Sequence, residues 1–188
     1  MKIGILNIQG DVSEHFQMIR KLPEKYHAVP VNVKNVQDLE GLSGLIIPGG
    51  ESTVIYMLLK KFGMYDKIIE MAHNGLHIMG TCAGAILVSR DTGDTRVKGM
   101  NLIDISIKRN AYGRQINSFI DEIDISGIGK FAAVFIRAPE IESIGNSQLL
   151  ASLDGKPVFV KEGNIIAMTF HPELTGNKKI HEFFVSGI

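Results

Sequence analysis

One segment of the sequence has the residue types of a nucleophile held at a tight turn. Gly80-Thr81-Cys82-Ala83-Gly84 lies between two apolar runs, at residues 76–79 and 85–88. This pattern predicts a strand, a sharp turn and a helix, an elbow that needs small neighbours because it is strained and crowded. At a helix N-terminus the free amides favour the attacking thiolate, and the amide of Ala83 would face the oxyanion. A lone cysteine can also be a buried, inert thiol, but the flanking glycines favour Cys82 as a nucleophile.

A thiol nucleophile needs a base to handle its proton, and the base needs an orienting group. His171-Pro172-Glu173 offers an imidazole and a carboxylate two residues apart. The tripeptide follows a predicted strand at residues 165–170, and the carboxyl ends of parallel strands meet at one edge of a sheet. On an extended segment we expect His171 and Glu173 to project to the same side, near Cys82. Taken alone, the tripeptide would also fit a surface turn.

A third cluster, Pro48-Gly49-Gly50-Glu51-Ser52-Thr53, joins a predicted strand to a predicted helix. Its two glycines let the backbone approach a ligand closely, so the cluster can form a substrate wall in which Gly50 is a second oxyanion donor. A glycine turn followed by a helix N-cap from Ser52 or Thr53 explains the same residues without a ligand. Both interpretations stay open on the residues alone.

The other five histidines are expected to have structural positions. His77 lies within an apolar run and is expected in the core, whereas His15, His27, His73 and His181 are expected on the surface of helices or loops. Among the histidines, only His171 is therefore taken as a candidate for catalysis.

The elements that must position these residues alternate between strand and helix in the first half of the chain. Apolar runs at residues 2–8, 28–33, 42–48 and 76–79 predict strands, and helical spacing predicts helices from residue 12 and over 52–61 and 65–73. Asp11 and Glu14 fit a capping box at the start of the first helix. The alternation predicts an α/β fold with a mainly parallel central sheet flanked by helices.

The pattern changes after about residue 95. Residues 102–108 and 119–125 alternate apolar with polar at a period of two, which predicts additional antiparallel strands in the second half. Short strands are also predicted at 131–136, 148–153, 157–161 and 165–170, and a closing helix at 178–185. No internal repeat or linker interrupts the sequence, so residues 1–188 are predicted to form a single domain.

Composition excludes several classes of function. The 188 residues include 20 Lys+Arg and 20 Asp+Glu, so neither nucleic acid nor an anionic membrane surface is expected as a partner. The single cysteine excludes an internal disulfide and paired-cysteine zinc sites. The N-terminal apolar run is too short for a signal peptide, and no apolar run is long enough to cross a bilayer, so a cytoplasmic protein is expected.

Together these segments resemble the class I, or triad, glutamine amidotransferases. The elbow around Cys82 and His171-Pro172-Glu173 indicate that superfamily. Gly49-Gly50-Glu51-Ser52-Thr53 and Phe135-Ile136-Arg137-Ala138-Pro139 narrow the resemblance to the glutaminase subunits of pyridoxal 5'-phosphate synthase. The matching blocks run from the first predicted strand to the last predicted helix.

The resemblance implies a flavodoxin-like three-layer fold and the hydrolysis of L-glutamine to L-glutamate and ammonia. It implies Cys82 as nucleophile, His171 as general acid and base, and Glu173 as the carboxylate that orients His171. It also implies that glutamine is bound by Gly50, Glu51, Ser52, Arg109, Ile136 and Arg137. The two oxyanion donors that it implies are Gly50 and Ala83. It implies no cofactor and no metal. The ammonia would pass to the pyridoxal 5'-phosphate synthase subunit, the partner in a hetero-oligomer.

Three alternatives remain. The chain could serve another triad amidotransferase, in histidine, purine or another pathway. It could be a chaperone or peptidase-like protein with a cysteine elbow on a similar sheet, which the position of His171-Pro172-Glu173 disfavours. It could also be a non-catalytic binding module, which the complete set of cysteine, histidine and glutamate disfavours.

Overall fold

A computed structural model describes residues 1–109 and 118–188 of the chain. The strands are β1 (Lys2–Leu6), β2 (Val29–Val33), β3 (Gly44–Ile47), β4 (His77–Thr81), β5 (Ser89–Asp91), β6 (Ile103–Lys108), β7 (Ser118–Ile125), β8 (Gly129–Ile136), β9 (Glu140–Ser143), β10 (Gln148–Leu153), β11 (Lys156–Glu162) and β12 (Ile165–Met168). The α-helices are α1 (Val12–Arg20), α2 (Ser52–Lys61), α3 (Met64–His73), α4 (Ala83–Val88) and α5 (Lys179–Ser186).

The central sheet has seven strands in the order β10-β11-β12-β4-β3-β1-β2. The five strands from β12 to β2 are parallel to one another, whereas β11 and β10 extend the sheet with antiparallel pairings at one edge. The predicted mainly parallel sheet is confirmed. β3 and β12 are buried along their whole length, which explains why both are continuous apolar runs rather than alternating ones.

Side chains that alternate along the central strands supply two separate cores, one on each face of the sheet. On β3, Leu45 and Ile47 belong to the core beneath α2, α3 and α4, whereas Ile46 belongs to the core beneath α1 and α5. The strand pair β7 and β8 covers part of the second face through Ile123 and Phe131. The layers are therefore helix, sheet and helix, as expected.

The second half of the chain contains the predicted antiparallel strands. β7 pairs with β8 in an unbroken antiparallel register, and β6 pairs with β9 antiparallel. The short strands β5 and β9 were not predicted; β6 joins them in a three-stranded sheet, in which β5 and β6 are parallel. Within the described residues, no helix combines the length and the apolar character needed to span a bilayer.

Candidate active site

The carboxyl ends of the central parallel strands open into a cavity of about 460 Å³. This is the edge of an α/β sheet at which ligands bind, because the loops that follow neighbouring strands diverge there. The wall contains every sequence-predicted site residue except Glu173, namely Gly50, Glu51, Ser52, Cys82, Ala83, Arg109, Ile136, Arg137 and His171. The tertiary fold thus brings together segments that lie up to 121 residues apart, from position 50 to position 171.

Cys82 stands at the sharp turn between β4 and α4. Its φ of 49° and ψ of −102° are unusual for a residue with a side chain. A Cβ at Gly84 would lie 1.9 Å from the backbone oxygen of Ile47, and one at Gly80 would lie 2.7 Å from the oxygen of Gly84. The predicted strand, turn and helix are confirmed, and close backbone contacts explain the flanking glycines.

His171 lies between the thiol and a buried carboxylate. Its Nδ1 is 2.8 Å from Oε1 of Glu173, and its ring is hydrogen-bonded to Cys82. The expectation of an extended segment was wrong, because His171 precedes a 3-10 turn over Pro172–Leu174. This turn positions the carboxylate of Glu173 against the imidazole, so the predicted contact forms through a different backbone geometry.

Sequence analysis missed a second carboxylate at the same imidazole. Asp11 Oδ2 lies 3.3 Å from His171 Nδ1. Asp11 makes no side-chain cap at the start of α1, and Glu14 accepts a hydrogen bond from Ser13 instead. The predicted capping box is therefore wrong, because the Asp11 side chain is directed to the cavity.

These contacts shift the pKa values of His171 and Glu173. Burial alone would lower the pKa of His171, but hydrogen bonds with Asp11, Cys82 and Glu173 outweigh it and raise that pKa. Burial raises the pKa of Glu173, against the hydrogen bond and charge of His171. The site stabilises an imidazolium next to the thiol, which is the arrangement that supports a thiolate nucleophile.

One cluster has metal-ligand chemistry. Asp11, His171 and Glu173 each offer a ligand atom, and these atoms lie within 4.8 Å of one another. The ring nitrogen that they share is Nδ1 of His171, which already contacts both carboxylates. Because a proton on this nitrogen can be shared by one oxygen of each carboxylate, the cluster is best described as a hydrogen-bonded triad with a second acceptor.

The glycine loop, residues 48–51, forms another part of the cavity wall. Gly50 has a φ of 153°, and a Cβ there would lie 2.4 Å from Oε1 of Gln9. The same Gln9 oxygen accepts a hydrogen bond of 2.8 Å from the backbone N–H of Glu51. Gln9 therefore holds the loop that carries the predicted oxyanion donor, a role that the sequence did not reveal.

Arg109 is held at the cavity by two carboxylates. Its Nη2 is 2.7 Å from Glu51 Oε1, and its Nη1 donates to Asp94. Burial would raise the pKa of Glu51, but hydrogen bonds from Thr53 and the nearby Arg109 charge lower it. These two contacts fix the guanidinium at the wall of the cavity.

The carboxyl end of β8, at Ile136 and Arg137, supplies a further part of the cavity wall. The backbone oxygen of Ile136 lies 4.0 Å from Cys82 Sγ, and Arg137 has a left-handed φ of 42°. An acceptor near the thiol and two guanidinium groups around the cavity suit a small ligand with both cationic and anionic ends.

Two of the predicted surface histidines are buried instead. His15 on α1 and His181 on α5 are fully inaccessible, and their Nδ1 and Nε2 atoms lie 2.9 Å apart. The prediction failed because both lie on the faces of their helices that pack against the sheet. His77 is only partly buried rather than in the core, whereas His27 and His73 are exposed as predicted.

The chain is similar to known proteins along its whole length. The model of the SNO glutamine amidotransferase family matches residues 5–188. A protein of Thermoplasma acidophilum named pyridoxal 5'-phosphate synthase subunit PdxT is 56% identical over 187 residues, which cover 99% of this chain and 92% of that protein. A protein of the same name from Thermotoga maritima is 45% identical, with 98% of each chain covered.

Solved structures give the same result for the fold. A crystal structure described as a glutamine amidotransferase has a TM-score of 0.91 and 35% identity, and covers 98% of this chain and 97% of its own. A chain from the PurLQS structure of Thermotoga maritima has a TM-score of 0.72 at 16% identity, with 98% of this chain and 97% of that one covered. The second similarity shows the fold alone.

Proposed function

The chain belongs to the SNO glutamine amidotransferase family, and we propose that it is the glutaminase subunit of a pyridoxal 5'-phosphate synthase. The reaction is L-glutamine plus water to L-glutamate plus ammonia. The observation that carries the proposal is the contact series of Cys82, His171 and Glu173 at the wall of one cavity. Relatives at 56% and 45% identity, both named as subunits of this synthase, support the pathway.

In the first half of the reaction, the Cys82 thiolate attacks the side-chain carbonyl carbon of glutamine. The carbonyl electron pair moves to oxygen, where the amides of Ala83 and Gly50 are the proposed donors. When the tetrahedral intermediate collapses, the carbon–nitrogen bond breaks and the imidazolium of His171 gives its proton to the departing nitrogen. The products of this half are ammonia and a glutamyl thioester on Cys82.

In the second half, water hydrolyses the thioester. Neutral His171 takes a proton from the water as its oxygen attacks the same carbon. The carbon–sulfur bond then breaks, which regenerates the thiolate and releases glutamate. Glu173 keeps the proton on Nδ1 throughout, so that Nε2 of His171 exchanges protons with the reacting groups.

The ends of the substrate match the rest of the wall. We assign the α-carboxylate of glutamine to Arg109 and Arg137, since guanidinium groups bind carboxylates well. The carboxylate of Glu51, the Ser52 hydroxyl and the Ile136 carbonyl remain as acceptors for the α-ammonium group. The carboxylate of the entering substrate competes with Glu51 for Arg109. Nη2 of Arg109 lies 2.7 Å from Oε1 of Glu51.

The ammonia goes to a synthase subunit in the same complex. Free ammonia in neutral water is protonated and lost as a nucleophile, so a protected transfer to the partner is the physical reason for a hetero-oligomer. Residues 1–188 act as one glutaminase domain in this proposal. We place the complex in the cytoplasm, where a lone reactive thiol stays reduced.

The test compares the wild-type chain with Cys82→Ala, each with and without a pyridoxal 5'-phosphate synthase subunit. Glutamate release and pyridoxal 5'-phosphate formation are followed together, with an ammonium salt replacing glutamine in a parallel set. The variant is expected to release no glutamate but to leave ammonium-dependent synthesis intact. Exchange of the exposed His73 for Asn is the control and is expected to behave as the wild type.

Other results would redirect the proposal. Glutamate release by the Cys82→Ala variant would remove Cys82 as the nucleophile. If the wild type releases glutamate but no pyridoxal 5'-phosphate forms, the chain serves another amidotransferase. If it releases no glutamate with or without the partner, a non-catalytic module becomes the better description.

A further inference from the structure

A buried group of polar side chains lies on the far side of the triad from the thiol. Oε1 of Glu173 contacts His171, but Oε2 is fully buried without an aligned hydrogen bond. His15 Nε2 lies 3.3 Å from this Oε2 and also 3.3 Å from the hydroxyl oxygen of Thr81. On its other side, His15 Nδ1 contacts Nε2 of His181. None of these contacts involves a residue that lines the substrate cavity other than His171.

Both histidines of this group are neutral in the folded chain. Burial, followed by the charges of His181 and His171, lowers the pKa of His15 well below its usual value. Burial lowers the pKa of His181 to about 3. A neutral imidazole has one N–H and one bare nitrogen, so each ring can donate at one position only.

Two arrangements of the protons satisfy the 2.9 Å contact between the rings. If His15 donated from Nδ1, its bare Nε2 could accept a hydrogen bond from the Thr81 hydroxyl, but it would also face the carboxylate of Glu173, where two lone pairs would repel each other. His181 would then carry its proton on Nδ1, which has no hydrogen-bond partner among the described residues. A buried donor without an acceptor is costly, and a bare acceptor is the smaller loss.

The opposite arrangement avoids both costs. His181 donates from Nε2 to Nδ1 of His15, and His15 donates from Nε2 toward Oε2 of Glu173. The atom left without a partner is then the bare Nδ1 of His181. Each N–H in this series is then directed toward the Glu173 carboxylate that orients His171. The hydrogen bonds connect α5 to α1 and α1 to the turn after β12.

We propose that His15 is a positioning residue of the glutaminase, which fixes the Glu173 carboxylate through Oε2, and that His181 fixes the tautomer of His15. The proposal rests on the proposed function, since it assigns a role in the same triad. Thr81 Oγ1 shares the His15 N–H, which explains the long contact to Oε2. Catalytic hydrogen bonds that are long without substrate commonly tighten when charge develops.

Two substitutions at position 15 separate the two bonds. His15→Asn keeps a polar group near the Nδ1 position, within reach of His181, and removes the donor to Glu173. His15→Gln places its amide nitrogen near the Nε2 position and keeps that donor. Because the side chain of residue 15 does not line the cavity, neither variant removes a contact to glutamine.

The experiment measures kcat and KM for glutamate release by the full chain with its synthase partner. For His15→Asn we expect kcat to fall about tenfold or more, which corresponds to about 1.4 kcal/mol, with KM unchanged. His15→Gln is expected to retain most of the wild-type kcat. In a Glu173→Gln background, His15→Asn is expected to add little further loss, because its effect is transmitted through the Glu173 carboxylate.

A second readout separates this proposal from the proposed function. Cys82 is the only cysteine of the chain, so alkylation by iodoacetamide reports the reactivity of its thiol even if no turnover is found. The His15→Asn variant is expected to change the pH profile of alkylation, and His15→Gln is expected to keep the wild-type profile. If His15→Asn does not fold by circular dichroism, His181→Leu against His181→Gln repeats the comparison one bond further away.

Three results would overturn the proposal. These are a wild-type kcat and alkylation profile for His15→Asn, equal losses in the Asn and Gln variants, and a loss from His15→Asn that is fully additive with Glu173→Gln. If the alkylation of Cys82 depends on position 15 as expected but the wild-type chain does not turn over glutamine, the result counts against the proposed function instead.

Discussion

The buried His181 predicts how the stability of the fold depends on pH. In the unfolded chain its pKa has the ordinary value of 6.5, and in the folded chain it is about 3. Between these values the unfolded chain binds the additional proton, so stability falls as the pH falls through 6.5. The loss is about 1.4 kcal/mol per pH unit, which amounts to about 2 kcal/mol at about pH 5 relative to neutral pH.

The perturbation that isolates this effect is His181→Gln. The amide does not titrate, and its nitrogen can still donate to Nδ1 of His15, so the hydrogen bond is retained while the ionisation is removed. We expect the difference in unfolding free energy between variant and wild type to shift by about 2 kcal/mol in favour of the variant from neutral pH to about pH 5. Any constant cost of the substitution cancels in this comparison.

Urea unfolding at a series of pH values, with linear extrapolation, measures the effect. The matched control is His73→Asn at the exposed end of α3. Parallel plots of unfolding free energy against pH for His181→Gln and the wild type would refute the reasoning, because His181 would then accept its proton in the folded chain without penalty. An equally reduced pH dependence of the unfolding free energy in the His73→Asn variant would show that burial is not the cause.

Two further substitutions test the geometry of the cavity. A Cβ at Gly49 would lie 2.4 Å from Cε1 of His171, so Gly49→Ala is expected to displace the ring and to lower kcat on the order of 100-fold, measured as glutamate release with the partner present. Gly187→Ala, whose Cβ would meet atoms at ordinary distances of 3.5 Å or more, is the control, and a normal kcat for Gly49→Ala would contradict the assigned ring position. Arg109→Gln is expected to raise KM for glutamine about 10- to 100-fold through the loss of a charge-assisted hydrogen bond; an unchanged KM would mean that the guanidinium remains with Glu51 and Asp94 when substrate binds.

Local patterns were enough to predict most of the elements. The helix over Ser52–Lys61 has the predicted bounds, and β3 and β12 lie within the predicted apolar runs. A short continuous apolar run bounded by turn residues predicts a strand buried on both faces, whereas apolar residues every three or four positions over ten residues predict a helix with one apolar side. β5 and β9 were missed because they are too short to show an alternation and, unlike the four-residue strands β3 and β12, consist mostly of polar residues.

The candidate site divides in the same way. Cys82 and the His171-Pro172-Glu173 segment stand out because rare residue types occur beside glycine or proline, and such signals are local. The sequence predicts Asp11 as a helix cap, because aspartate is one of the preferred residues at the N-cap position. Only the packing of α1 against the turn after β12 turns its side chain to the imidazole.

The sequence by itself determined the alternation of strands and helices, the elbow that carries the thiol and the resemblance that names the reaction. These properties depend on residue type and on spacing along the chain. The tertiary structure alone decided which side chains surround the triad and the glycine loop: Asp11 beside His171, Gln9 against the loop, and the buried pair of His15 and His181 behind Glu173. Such contacts join residues up to 166 positions apart, and no local pattern records which helix faces will meet once the sheet has formed.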